Sequence, residues 1–81
     1  MTVTVHFYSY YKELTGCADT TATVSAPATL RELVRELQVR FPRLAALENT
    51  MLLAVGVEYQ PRDYILREGD AVALFPPVQG G

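Results

Sequence analysis

The chain is poor in the residues that most often carry chemistry. Its 81 residues include one cysteine, one histidine and no tryptophan. A single thiol, Cys17, cannot close an internal disulfide or build a cysteine-based structural zinc site. One histidine, His6, and one cysteine cannot assemble a Ser/His/Asp triad or an ordinary metal cluster. The composition therefore argues against a self-sufficient hydrolase or metalloenzyme, and no bound metal is expected. Basic charge is also sparse: seven Lys and Arg against nine Asp and Glu leave a net charge of −2. No basic stripe exists to neutralise phosphates, so no nucleic-acid partner is expected, while a partner with a basic surface is permitted. No apolar run approaches the roughly 18 residues of a membrane span, and no apolar segment follows a basic start. No membrane partner and a cytoplasmic location are the expectation.

What is present is globular in character. The composition is 49% hydrophobic and 20% charged, above the range of disordered chains. The length predicts a single domain, residues 1–81, with a small core. Thr2 to Tyr8 alternates, with Val3, Val5 and Phe7 on one side and Thr2, Thr4, His6 and Tyr8 on the other, as in a half-buried strand. Tyr10 to Thr15 reads as a short helical turn stopped by Gly16. Asp19 to Ser25 suits a second strand pairing with the first, Ala22 and Val24 on one face.

After Ala26-Pro27-Ala28, Thr29 and Glu32 form a capping box. Leu30, Leu33, Val34, Leu37 and Phe41 then fall on one helical stripe, and Pro42 ends the helix at or before Phe41. Arg43 to Asn49 reads as a second short helical piece with Leu44 and Leu47 inward. Met51 to Val55 is an apolar strand, Gly56-Val57 a type II′ hairpin turn and Glu58 to Gln60 a brief return strand. Pro61 to Leu66 is irregular, with Tyr64, Ile65 and Leu66 available to cover the core. Arg67 to Asp70 is a turn, and Ala71 to Phe75 the last strand, Val72 and Leu74 facing one side, Ala73 and Phe75 the other.

One amphipathic helix covers one face of a sheet. If the first and last strands lie side by side, the second face carries His6, Tyr8, Ala73 and Phe75. A contiguous apolar patch on so small a protein marks a partner surface. Directly beyond Phe75 come Pro76-Pro77-Val78-Gln79-Gly80-Gly81, expected to form a flexible tail over 76–81. The prolines fix φ near −65° and set an exit direction. The glycines are narrow and conformationally permissive, as threading a partner's cleft requires. Four residues beyond Pro77 reach about 13 Å. A terminal carboxylate, with a pKa of about 3.3–3.7, is ionised and unreactive at neutral pH, so it must be activated, for example as an acyl-adenylate, before a sulfur or amine nucleophile attacks it.

The segment Gly69-Asp70-Ala71-Val72-Ala73-Leu74-Phe75-Pro76-Pro77-Val78-Gln79-Gly80-Gly81 resembles the C-terminus of the small, sulfur-carrying subunit of molybdopterin synthase, in the MoaD/ThiS family. Lys12-Glu13-Leu14-Thr15-Gly16 and Thr29-Leu30-Arg31-Glu32-Leu33 extend the resemblance over nearly the whole chain. It implies an α+β, ubiquitin-like β-grasp fold: a mixed sheet with one main amphipathic helix on one face. It implies a sulfur carrier that supplies no catalytic side chains of its own and binds no cofactor tightly. An E1-like adenylating enzyme would use ATP to join AMP to Gly81, and a sulfur donor protein would convert the acyl-adenylate to a thiocarboxylate. The tail, Phe75, Pro76, Pro77, Val78, Gln79 and Gly80, would enter the large catalytic subunit of a heterotetrameric synthase, with Tyr8 at the contact. There Gly81 would deliver sulfur to the dithiolene of molybdopterin, made from cyclic pyranopterin monophosphate. Two departures stand out. Gly56-Val57 replaces a frequent Asn-Gly, and His6 and Tyr8 make a usually apolar strand face more polar.

Three alternatives stay open: a sulfur carrier for the thiamine pathway, a ubiquitin-like protein modifier, and a binding module with no tail chemistry. Thiamine carriers typically lack the helical turn after the first strand, so Lys12–Gly16 and Pro76-Pro77 favour the molybdopterin side. Cys17, beside Gly16 in a loop, reads as a thiol of no consequence. Glu58, Asp63, Glu68 and Asp70 either face a basic partner or simply solvate turns.

Overall fold

The computed structural model describes residues 1–77, and of residues 46–49 the backbone alone. Expectations for the Leu47 side chain and for Val78, Gln79, Gly80 and Gly81 lie outside the described residues.

Strand β1 (Thr2–Phe7) buries Val3, Val5 and Phe7 and leaves Thr2 and Thr4 exposed, as the alternation requires. Helix α1 (Tyr11–Thr15) follows and ends at Gly16, whose φ of 78° is the left-handed stop that glycine adopts without a Cβ clash. Strand β2 (Asp19–Thr23) returns antiparallel to β1, placing Ala22 opposite Val3. Helix α2 (Leu30–Arg40) carries the expected capping box: Thr29 Oγ1 accepts from Glu32 N–H at 3.3 Å, and Glu32 Oε1 accepts from Thr29 N–H at 3.0 Å. Its stripe of Leu30, Leu33, Val34 and Leu37 is fully buried, and each such side chain contributes about 1.5–3 kcal/mol of transfer free energy. Phe41 closes the stripe half-buried, its ring edge-on to Phe7 at 5.5 Å.

The piece expected after Pro42 is a 3-10 helix (Pro42–Thr50), with Leu44 buried. Strands β3 (Leu52–Val55) and β4 (Glu58–Tyr59) form the hairpin. Its turn has positive φ at Gly56 alone, 63°, which matches the type II′ expectation and not type I′, where Val57 would also be left-handed. Strand β5 (Ala71–Phe75) completes the sheet in the order β2-β1-β5-β3-β4. The β1–β5 pair is parallel and the others antiparallel. The first and last strands are therefore central neighbours, and α2 covers one face. This is the α+β ubiquitin-like β-grasp arrangement.

One core assignment is overturned. Ile65 does not cover the core; it is 62% exposed. An isolated antiparallel bridge to Thr29 holds it in extended backbone, so Tyr64 and Leu66 turn inward and Ile65 outward. Tyr11 is the reverse case, a polar tip taken inside. It is wholly buried, and its hydroxyl has no hydrogen-bond partner among the described residues. Burial, reinforced by neighbouring Tyr10 and opposed by Arg62, pushes its pKa up to about 12 from the ordinary 10.0.

Replacing Leu33 with Ala is expected to cost about 2–5 kcal/mol, and Thr29→Ala about 1 kcal/mol, as read from urea midpoints at unchanged slope. The Tyr11 shift predicts an alkaline weakening. Above the unfolded value near 10 the unfolded chain sheds a proton that the folded chain keeps until about 12. Stability should fall with pH across that window. Tyrosinate absorbance should show a late-titrating phase that Tyr11→Phe removes.

Candidate functional site

The face of the sheet opposite α2 is built around β5. The register aligns His6 of β1, Ala73 of β5 and Ala54 of β3 across adjacent strands, with Tyr59 of β4 beyond Ala54. Ala73 and Ala54 are each 7% exposed, a low floor between larger side chains. At the end of β5 the Phe75 ring lies flat against Tyr8, centroids 4.6 Å apart and planes 11° from parallel. Tyr59 meets the same ring at 6.2 Å and 65°. Phe75 is half-buried between two tyrosines that remain 45% and 69% exposed.

Local structure explains why Tyr8 reaches this position. It leaves β1, and its N–H donates to the Leu74 carbonyl at 3.1 Å, tying the loop to the end of β5. Ser9 then turns the chain in a left-handed conformation, φ 56°, and Tyr8's carbonyl accepts from Tyr11 N–H at 3.2 Å as α1 begins. The result is an apolar ridge with hydroxyls at its tips, the kind of surface enriched at protein interfaces. Pro76 and Pro77 follow directly, both half-buried.

The expected site residues Tyr8, Phe75, Pro76 and Pro77 thus gather at one end of the open face, with His6 and Ala73 on the same face. Val78, Gln79, Gly80 and Gly81 lie outside the described residues. Sequence reasoning missed Tyr59 and Ala54. The signal was the two-residue hairpin turn at Gly56-Val57, which fixes Tyr59 opposite Ala54 and on the same side as Ala73.

Two of the four acids are engaged among the described residues. Asp70 Oδ2 accepts from Arg67 N–H at 2.8 Å and from the Tyr64 hydroxyl at 3.5 Å, and Glu68 Oε2 accepts from Thr2 N–H at 3.1 Å. These two carboxylates organise the turn before β5. Cys17 is half-buried and its thiol donates to Thr15 Oγ1 at 3.8 Å. No helix among the described residues is long and apolar enough to cross a membrane.

A family model described as the ThiS family matches residues 5–81. The molybdopterin synthase sulfur carrier subunit of Escherichia coli (strain K12) is 37% identical over 81 residues, covering 98% of this chain and 99% of that protein. Among solved structures, one described as molybdopterin converting factor subunit 1 from Pyrococcus furiosus aligns with a TM-score of 0.90 at 26% identity, over 96% of this chain and 99% of that one. A chain from the complex of subunits 1 and 2 of the molybdopterin-converting factor from Helicobacter pylori 26695 aligns with a TM-score of 0.71 at 26% identity, over 100% of both.

The stacking geometry predicts energetic coupling between Tyr8 and Phe75. A double-mutant cycle of Tyr8→Ala and Phe75→Ala, read by urea unfolding, should return about 0.5–1.5 kcal/mol. Tyr8→Phe, which keeps the ring, should preserve it.

Proposed function

The chain belongs to the ThiS family, and on that premise we propose that it is the sulfur carrier of a two-subunit molybdopterin synthase. Gly81 is the reacting residue. Its carboxylate oxygen attacks the α-phosphorus of ATP in the active site of an E1-like enzyme, and pyrophosphate leaves. Hydrosulfide released by a donor protein then adds at the activated carbonyl and AMP leaves, so the carboxylate becomes a thiocarboxylate. The large subunit receives the tail and uses that sulfur to build the dithiolene of molybdopterin from cyclic pyranopterin monophosphate. The carrier supplies the reacting group and a docking surface; catalytic side chains belong to its partners.

One observation carries this reading: docking surface and tail grow from the same strand. Phe75 sits between Tyr8 and Tyr59 on the open face, and the next two residues are Pro76 and Pro77. A partner that covers the aromatic ridge is thereby placed where the tail emerges. The alanine floor, Ala54 and Ala73, admits a partner side chain between Tyr59 and His6. The Helicobacter chain of like fold comes from a complex of the two subunits, which supports a large-subunit partner here. The same face can serve the adenylating enzyme in turn, because activation and delivery both require the tail to enter another protein.

Incubation with ATP, the adenylating enzyme and a sulfide source should exchange one oxygen for sulfur at Gly81, read by intact mass. Deleting Gly81 should abolish the exchange. Phe75→Ala should weaken large-subunit binding at least about tenfold in calorimetry, the scale of an interface anchor, with an unchanged far-UV spectrum. Absence of sulfur exchange in the wild-type chain would refute the carrier reading. Rescue of thiamine synthesis alone in deletion strains would redirect it to that pathway, and thiol-resistant protein conjugates in lysate would favour a modifier.

A further inference from the structure

The two edges of the sheet are closed in different ways. The β4 edge is two residues long, too short to template much pairing. The β2 edge is five residues long and rich in threonine. Ladder bonds join β2 to β1 through the Phe7–Ala18 and Met1–Val24 contacts. Alternation along the antiparallel register then turns the N–H and C=O of Asp19, Thr21 and Thr23 away from β1. These groups form a row of outward donors and acceptors on a strand of high β propensity.

Arg40, the last residue of α2, reaches across that row. Its Nη1 donates to the Thr21 carbonyl at 2.7 Å and its Nη2 to Thr20 Oγ1. The guanidinium carbon stands 5.1 Å from the centroid of the Phe41 ring, which itself packs on Phe7 in the core. The planar fork is thus held from two sides, by the strand it caps and by an anchored aromatic face.

We propose that the β2 edge is self-complementary and that Arg40 keeps it from pairing with β2 of a second copy of this chain. An antiparallel pairing about a two-fold axis at Thr21 sets Thr21 against its counterpart and Asp19 against Thr23. Each of these pairs exchanges two backbone hydrogen bonds, and no like charges face each other. A second copy brings this matching register by symmetry, which an unrelated peptide does not. The carbonyl at the centre of the pairing is the one Arg40 holds, so the strand cannot pair while the guanidinium is in place. The inference is independent of the sulfur-carrier reading.

Sedimentation velocity at concentrations up to about 1 mM, the range of weak association, tests it. The wild-type chain should remain monomeric. Arg40→Gln keeps much of the aliphatic stem over Phe41 but lacks the charged fork, and should dimerise with rising concentration. Exchange at the Thr21 and Thr23 amides should slow in parallel. Arg40→Lys provides a second variant, with the charge but not the fork, and should dimerise more weakly. Arg40→Gln combined with Thr21→Pro should return to monomer, because proline removes the outward N–H at the axis and spares the ladder to β1. A monomeric Arg40→Gln chain, a wild-type chain that dimerises equally, or a dimer that survives Thr21→Pro would each overturn the proposal.

Discussion

The parallel pairing of β1 with β5 is the constraint on which the rest depends. It joins the first strand to the last and puts both in the middle of the sheet. On the covered side it aligns Val5 with Val72 and Phe7 with Leu74 beneath α2. On the other side it sets His6 beside Ala73 and carries Tyr8 to Phe75. A one-residue slip between these strands would exchange the faces, burying polar groups under the helix and breaking the aromatic stack at once. Core and aromatic ridge are therefore specified by the same register.

That shared register bears on how the proposed carrier serves chemistry, since the described residues hold no cluster of metal-ligating side chains. In the proposed carrier role, reactivity is delegated to enzymes that act on the tail, and the fold supplies recognition and aim. Recognition would rest on Tyr8, Phe75 and Tyr59, rings that pack on one another and leave the two tyrosines largely exposed. Aim would rest on Pro76 and Pro77, placed directly after a central strand. In that role acid–base side chains on the carrier are unnecessary, because its partners would bring them.

Much of this was legible in the sequence. Alternation in β1 and β5, the Thr29–Glu32 box and the helical stripe each follow from local periodicity, and local periodicity survived folding. Phe75 at the end of β5 was legible because an apolar strand runs straight into Pro-Pro. Tyr59 was not, because its role depends on hairpin register and on Phe75, sixteen positions further along. Ile65 was misassigned for a similar reason. Its single bridge to Thr29 is a long-range contact that sets the phase of an otherwise irregular segment. The burial of Tyr11 was equally hidden, since a tyrosine in a short helical turn gives no sign of which way its ring points.

The central place of β5 also bears on biosynthesis. It follows every other described strand in the chain, yet its Val72 and Leu74 fill the middle of the core. Until residues 71–75 leave the ribosome, β1 lacks its inner neighbour and the β3–β4 hairpin lacks the strand that attaches it to the sheet. The pairing that completes the domain is non-local, with the loop-closure cost such contacts carry. A nascent or truncated chain without β5 thus has neither a closed core nor an aromatic ridge. Closure of the core and formation of the aromatic ridge become a single event.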